Sequence, residues 1–147
     1  MNINKFTQNS IQAVQNCEKL AYDFGNQEID QEHLMYSLLQ LDQSLILRMI
    51  EKMEINAEHF TDKVRQLIEK RVKVSGGKVY ISQSLNQALL HAEDEAKRMG
   101  DEYVSVEHLF LAMLEEPNQA MKLLFREYGI TRERFLQALP QSEEIRE

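Results

Sequence analysis

The chain contains no tryptophan, one cysteine, two prolines and five glycines in 147 residues. A single cysteine, Cys17, excludes an internal disulfide and fits a reducing compartment, so the expected location is cytoplasmic. With so few prolines and glycines there is little to interrupt helices, and the abundant Leu, Ala, Glu, Gln, Lys and Met favour them. Positive charge is also in short supply. Seventeen Lys and Arg face 24 Asp and Glu, for a net charge of −7 and a pI near 5.2. That balance speaks against nucleic acid, whose phosphates need a basic face. No stretch approaches the roughly 18 apolar residues of a membrane span. The opening MNINKFTQNS lacks the charged start, apolar run and cleavage site of a signal peptide. The length suits about one domain, able to bury roughly 68–70% of its unfolded surface without staples.

What the chain does have is a repeat. The segment IDQEHLMYSLLQ (29–40) returns as VSVEHLFLAMLE (104–115), and His33 and His108 are separated by 75 positions. The same offset, without a gap, sets Gln8 on Gln83, Ala13 on Ala88, Glu18 on Glu93, Gly25 on Gly100, Leu39 on Leu114 and Phe60 on Phe135. Apolar positions of different identity still match in kind, as Val14 with Leu89 and Met35 with Phe110. Ungapped register over most of the chain predicts two copies of one supersecondary unit and an approximate internal two-fold.

Apolar spacing divides each copy into four helices. In the first copy they are expected from Thr7 (an N-cap) to Phe24 with Gly25 as C-cap, after Asp30, over 43–53, and from Asn56 through Ile68. In the second they run from Ser82 to Met99, from Ser105 to Glu115, from Pro117 in a first turn to Tyr128, and from Thr131 onward. VKVSGGKVY (72–80) breaks the helical pattern and marks the joint. The expected fold is all-α, one domain of eight helices as two pseudo-two-fold-related four-helix repeats: repeat one 6–72, linker 73–81, repeat two 82–146. The run EDEAKR (93–98) is expected to be a solvated helix face.

A catalytic constellation is hard to find. Gly76 and Gly77 are not followed by the Gly-Lys-Ser/Thr of a phosphate loop. His33, His59, His91 and His108 fall in no metal-ligand spacing, and Cys17 is expected to be a small core residue. No catalytic residue, cofactor or metal is therefore expected. The two Glu-His pairs have two readings that can both hold. Structurally, Asp30 or Ser105 caps a helix, Glu32 or Glu107 complements the dipole in its first turn, and His33 or His108 closes that turn. Functionally, an internal two-fold would bring the two carboxylates to a shared groove able to grip a cationic side chain or a peptide backbone.

Taken together, the paired openings Thr7 to Ala13 and Ser82 to Ala88, the glycines Gly25 and Gly100, and the runs Glu32 to Leu39 and Glu107 to Leu114 resemble the double repeat of the Clp amino-terminal domain. The resemblance covers the chain from about Phe6 to its end. KVSGGKVYISQSLNQAL and EDEAKRMGDEYVSVEHLFLAM look most like the ClpB disaggregase branch, with the protease-coupled ClpC and ClpA branches next. It implies a substrate-engaging domain of a hexameric AAA+ unfoldase that binds exposed apolar segments of unfolded or aggregated polypeptides. The resemblance assigns ATP and Mg²⁺ to ATPase modules of the parent, and implies the Hsp70 system or adaptor proteins as partners through that parent. It implies a monomeric fragment, with Ser142 to Glu147 near the linker to the first ring. The family's peptide groove maps onto Thr7, Leu89, Asp101 and Glu107, with Leu90, Tyr103 and Phe110 as neighbours. In the ClpC branch the Glu-His glutamates resemble a site for phosphorylated arginine, which maps to Glu32 and Glu107. The alternative function is thus docking of an adaptor or of phosphoarginine. The repeats differ in charge before their glycines, with Tyr22 and Asp23 in one and Lys97 and Arg98 in the other.

Overall fold

Each helix starts where a side chain can accept from an amide that the helix leaves unpaired. In a computed structural model that describes residues 3–140, these residues form eight α-helices. Repeat one supplies α1 (Gln8–Phe24), α2 (Gln31–Gln40), α3 (Leu45–Lys52) and α4 (Ala57–Glu69). Repeat two supplies α5 (Gln83–Arg98), α6 (Val106–Glu115), α7 (Gln119–Tyr128) and α8 (Arg132–Ala138). Thr7 accepts from the Ser10 amide at 3.2 Å, and its counterpart Ser82 from Leu85 at 3.0 Å. Asn56 and Thr131 do the same for His59 and Arg134. Caps of this kind contribute about 1 kcal/mol each. Among the described residues no helix is long and apolar enough to cross a membrane.

The central pair, α2 and α6, is buried on nearly every side; α1 packs against α2, and α5 against α6. Phe110 of α6 stacks on Phe135 of α8 with centroids 4.3 Å apart and tilts against Phe125 of α7 at 5.7 Å, which locks the helices of repeat two together. The internal two-fold also appears in the backbone between the helices. Two short parallel strands, β1 (Glu28–Ile29) and β2 (Tyr80–Ile81), pair Ile29 with Ile81. At the related positions Phe6 makes an isolated parallel bridge to Val104. The Thr7 amide donates to the Val104 carbonyl at 2.9 Å, and Ser82 to Ile29 at 2.8 Å. Each repeat therefore sends the segment before its first helix to the segment before the other repeat's second helix.

Several boundaries differ from expectation for local reasons. Residues 80 and 81, placed in the linker, form β2, because the other repeat offers them a partner. The third helix begins at Leu45 rather than 43, since Gln43 is left-handed (φ 52°) and Ser44 caps Leu47. Pro117 precedes the α7 cap: Asn118 accepts from Met121, and α7 starts at Gln119. The EDEAKR run is not wholly solvated. Glu95 is fully buried and receives both terminal nitrogens of Arg132, at 2.8 and 2.7 Å. The expected end of repeat two at 146, and Ser142 to Glu147 near a linker, lie outside the described residues.

The offset that sets Glu54 on Gly129 exposes a mismatch. Both follow the third helix of their repeat in a left-handed conformation, with φ 63° in each. Glycine has no Cβ to oppose that geometry, whereas a glutamate there is strained by roughly 1–2 kcal/mol. Glu54 is exposed, so Glu54→Gly should raise stability by about 1 kcal/mol. The urea midpoint checks it, with an unchanged slope expected.

Candidate functional site

α1 and α5 flank a groove of about 390 Å³ floored by the β1–β2 pair. α1 contributes Val14, Gln15, Cys17 and Glu18, α5 contributes Leu85 and Leu89, and Ile29, Val79, Tyr80 and Ile81 come from the strands and their approach. Val14 and Leu89 are related by the repeat offset, so the groove lies across the pseudo-two-fold. Its deep surface is aliphatic: Leu34, Leu85 and Leu89 are buried. Its rim is amphipathic, with Tyr80 and Ile81 about half exposed (52% and 48%). Cys17 in its wall is buried, and burial pushes its thiol up to about 12, which leaves it a packing residue rather than a nucleophile.

The Glu-His turns are built differently from a surface cap. His33 Nδ1 accepts from the Asp30 amide at 2.9 Å, and its Nε2–H faces Asn26 Oδ1 at 3.0 Å. His108 repeats this with the Ser105 amide at 2.8 Å and Asp101 Oδ2 at 2.8 Å. An accepting Nδ1 fixes the tautomer with the proton on Nε2. Both imidazoles are fully buried. Burial, then the nearby Arg71 charge, lowers the His33 pKa to about 4, against the opposing pull of Asp30.

Arg71 organises the first turn of α2. Its guanidinium reaches Glu28 at 2.6 Å, Glu32 at 2.7 Å and Asp30 at 3.3 Å. Asp30 also accepts from the hydroxyls of Ser82 and Ser84, both at 2.7 Å. Burial opposes ionisation of Asp30, but these hydroxyls, the Gln31 amide and Arg71 outweigh it and hold its carboxyl below the usual range. Gln31 donates to the carbonyls of Ser84 and Glu116, and Asn118 donates to Glu32 Oε1 at 2.7 Å. The first turn of α2 is thus the polar joint between the repeats.

The expected site residues divide into two groups. Glu32, Leu89, Glu107 and Phe110 are buried, each no more than 2% exposed. Glu32 and Glu107 line no part of the groove; they sit inside the helix turns they were expected to present, and Arg71 engages Glu32. The shared groove is consequently aliphatic and does not join two carboxylates. Phe110 lies in the aromatic core, and Leu89 is part of the groove's deep wall. The others lie nearer the surface. Leu90 and Tyr103 are exposed, and Thr7 and Asp101 are half-buried. The bond from Thr7 to Val104 brings the start of α1 beside Tyr103, and Asp101 meets α6 through His108. Sequence reasoning missed Arg71 and the groove residues Tyr80 and Ile81. No local signal marked these two, since a two-residue strand carries no period.

A family model, the Clp repeat N-terminal domain, matches residues 5–128. The chain belongs to the Clp N-terminal domain family. It is 39% identical over 145 residues to chaperone protein ClpB of Nitratidesulfovibrio vulgaris, covering 95% of this chain and 17% of that protein's length. This Clp N-terminal domain therefore corresponds to a small fraction of the curated relatives it matches. Among solved structures, the Hsp104 N-terminal domain from Candida albicans superposes with a TM-score of 0.78 at 22% identity, over 91% of this chain and 88% of that one. The complex of a ClpV N-domain with a VipB peptide gives 0.74 at 20% identity, over 95% and 92%. At these identities the structural matches establish the fold.

Removing Arg71 would leave the carboxylates of Asp30 and Glu32 buried without their counter-charge. Arg71→Ala should destabilise this Clp domain by about 3 kcal/mol, and Arg71→Lys should recover only part, because a point charge cannot span three carboxylates. Urea denaturation of both variants checks this. A separate expectation concerns pH. His33 has a folded pKa depressed from 6.5 to about 4, so the unfolded chain takes up a proton first as pH falls. Stability is full above pH 6.5 and declines towards pH 4, by roughly 3 kcal/mol at about 1.4 kcal/mol per pH unit. Asp30, whose pKa is lowered from 3.8, extends the loss below that value. Urea midpoints at pH 7, 5 and 4 measure the slope, which His33→Gln should flatten between 6.5 and 4.

Proposed function

We propose that this domain captures exposed apolar segments of unfolded or aggregated polypeptides and passes them to the AAA+ ring of a longer parent chain. The observation that carries the reading is the groove on the pseudo-two-fold, with an aliphatic interior and a half-exposed Tyr80–Ile81 rim. Aliphatic walls bind by area and shape and demand little of a client's sequence. The ClpV N-domain solved with a peptide shares this fold, which supports peptide capture by the same scaffold. Leu89 serves in the groove wall. Leu90, Tyr103, Thr7 and Asp101 extend the proposed contact surface beside it. Glu32 and Phe110 are assigned to the scaffold, and Glu107 to the buried turn beneath that surface. ATP, Mg²⁺, the hexameric ring and a cytoplasmic setting belong to the proposed parent.

Affinity should be micromolar or weaker, on the order of −8 kcal/mol, since release to the ring is part of the task. The test is fluorescence polarisation of a labelled, reduced and carboxymethylated polypeptide with wild-type domain and the double variant Val14→Ser, Tyr80→Ser. These positions are half-buried and exposed, which spares the fold in a way that a charge at Leu89 would not. Wild type should saturate in the micromolar range, and the variant should bind about tenfold more weakly from lost apolar burial. Equal binding would remove the groove from the reading. A flat wild-type curve would remove client capture and favour docking of a folded adaptor.

A further inference from the structure

The two repeats treat one backbone position in opposite ways. Phe6 and Ile81 are related by the repeat offset, and each stands on the parallel segment that crosses to the other repeat. In repeat one that segment is closed. The 3₁₀ turn Ile3–Lys5 covers it, the Phe6 amide donates to the Ile3 carbonyl at 3.1 Å, and Phe6 is 5% exposed. In repeat two residues 78–80 form no such turn, and Ile81 is 48% exposed. The pairing of β2 with β1 uses the amides of Tyr80 and Ser82, which donate to the carbonyls of Gln27 and Ile29 at 2.9 and 2.8 Å. Backbone groups alternate sides along a strand, so the N–H and C=O of Ile81 point away from β1. Val79, Tyr80 and Ile81 all line the aliphatic groove.

We infer that the groove receives its client as an extended segment that adds to the outward edge of β2. The Ile81 amide donates to a client carbonyl, and a client amide donates to the Ile81 carbonyl. Alternate client side chains then drop between α1 and α5 against Val14 and Leu89. Main-chain bonds of this kind supply affinity without reading sequence, while the groove selects for apolar residues at every second position. Glu18 on the rim and the net charge of −7 favour Lys or Arg at the intervening positions. The inference rests on the client-capture reading and specifies the client's conformation.

The experiment uses a fluorescein-labelled octapeptide of alternating Lys and Val, and two versions N-methylated on one or the other alternate set of residues. Only one set turns its amides towards β2, so one methylated version should bind about tenfold or more weakly and the other within about threefold of the parent peptide. On the protein side, Ile81→Pro deletes the outward amide while sparing the Tyr80 and Ser82 amides that hold β1, and proline is tolerated at such an edge. Ile81→Ala controls for the side chain. Proline should weaken binding well beyond alanine. As a measurement independent of any variant, exchange of the Ile81 amide in the wild-type domain, followed by NMR, should slow at least tenfold at saturating peptide. If both methylated peptides bind like the parent, or Ile81 exchange is unchanged at saturation, strand addition is overturned while groove capture stands. If the parent peptide and the carboxymethylated polypeptide both fail to bind, both readings fall together.

Discussion

Two helices buried on nearly every side impose the constraint on which the rest of this structure depends. The first turns of α2 and α6 carry amides with no partner inside the helix, and no water reaches them to compensate. Each is satisfied by a device written within four residues: a polar cap and a histidine whose Nδ1 accepts the cap's own amide. A histidine can do this while neutral and still donate from Nε2, a pairing no carboxylate at that position could make. In repeat one the cost is an imidazole, His33, that burial and the nearby Arg71 charge make hard to protonate.

The same constraint explains why the joint between repeats is polar although the core is not. Asp30 and Glu32 are held at the α2 terminus by Arg71 from the end of repeat one, and by Ser82, Ser84 and Asn118 from repeat two. These side-chain partners all come from outside α2, so the turn doubles as the clasp. Such clusters stabilise through completeness: a single missing partner leaves charge stranded in a low-dielectric site.

Duplication has left two halves with one topology and unequal surfaces. Asn26 in repeat one faces its histidine as a neutral amide, and Asp101 in repeat two as a carboxylate. Glu54 bears a backbone conformation that Gly129 adopts without strain. Phe6 is sealed under a 3₁₀ turn where Ile81 is open. The last difference changes the surface most, since it leaves Ile81 half exposed where it lines the groove between α1 and α5.

The eight helices, most of their caps and the repeat were legible in the sequence. Helix periodicity and capping are local, and a 75-residue offset needs no coordinates. Two-residue strands were not legible, because so short a segment carries no period and is defined by a partner some 50 residues away. Nor was the depth of Glu32, Glu107 and Glu95. A glutamate in a first turn or a charged run reads as solvated until a distant arginine, such as Arg71 or Arg132, is folded against it. The amino-acid sequence by itself determined an acidic, helical, internally duplicated domain, because composition, spacing and repetition are properties of neighbours along the chain. Only the tertiary structure decided that the Glu-His turns face inward and that α1, α5 and the paired strands enclose an aliphatic groove with Tyr80 and Ile81 half exposed on its rim. Burial and charge pairing are set by which segments meet in space.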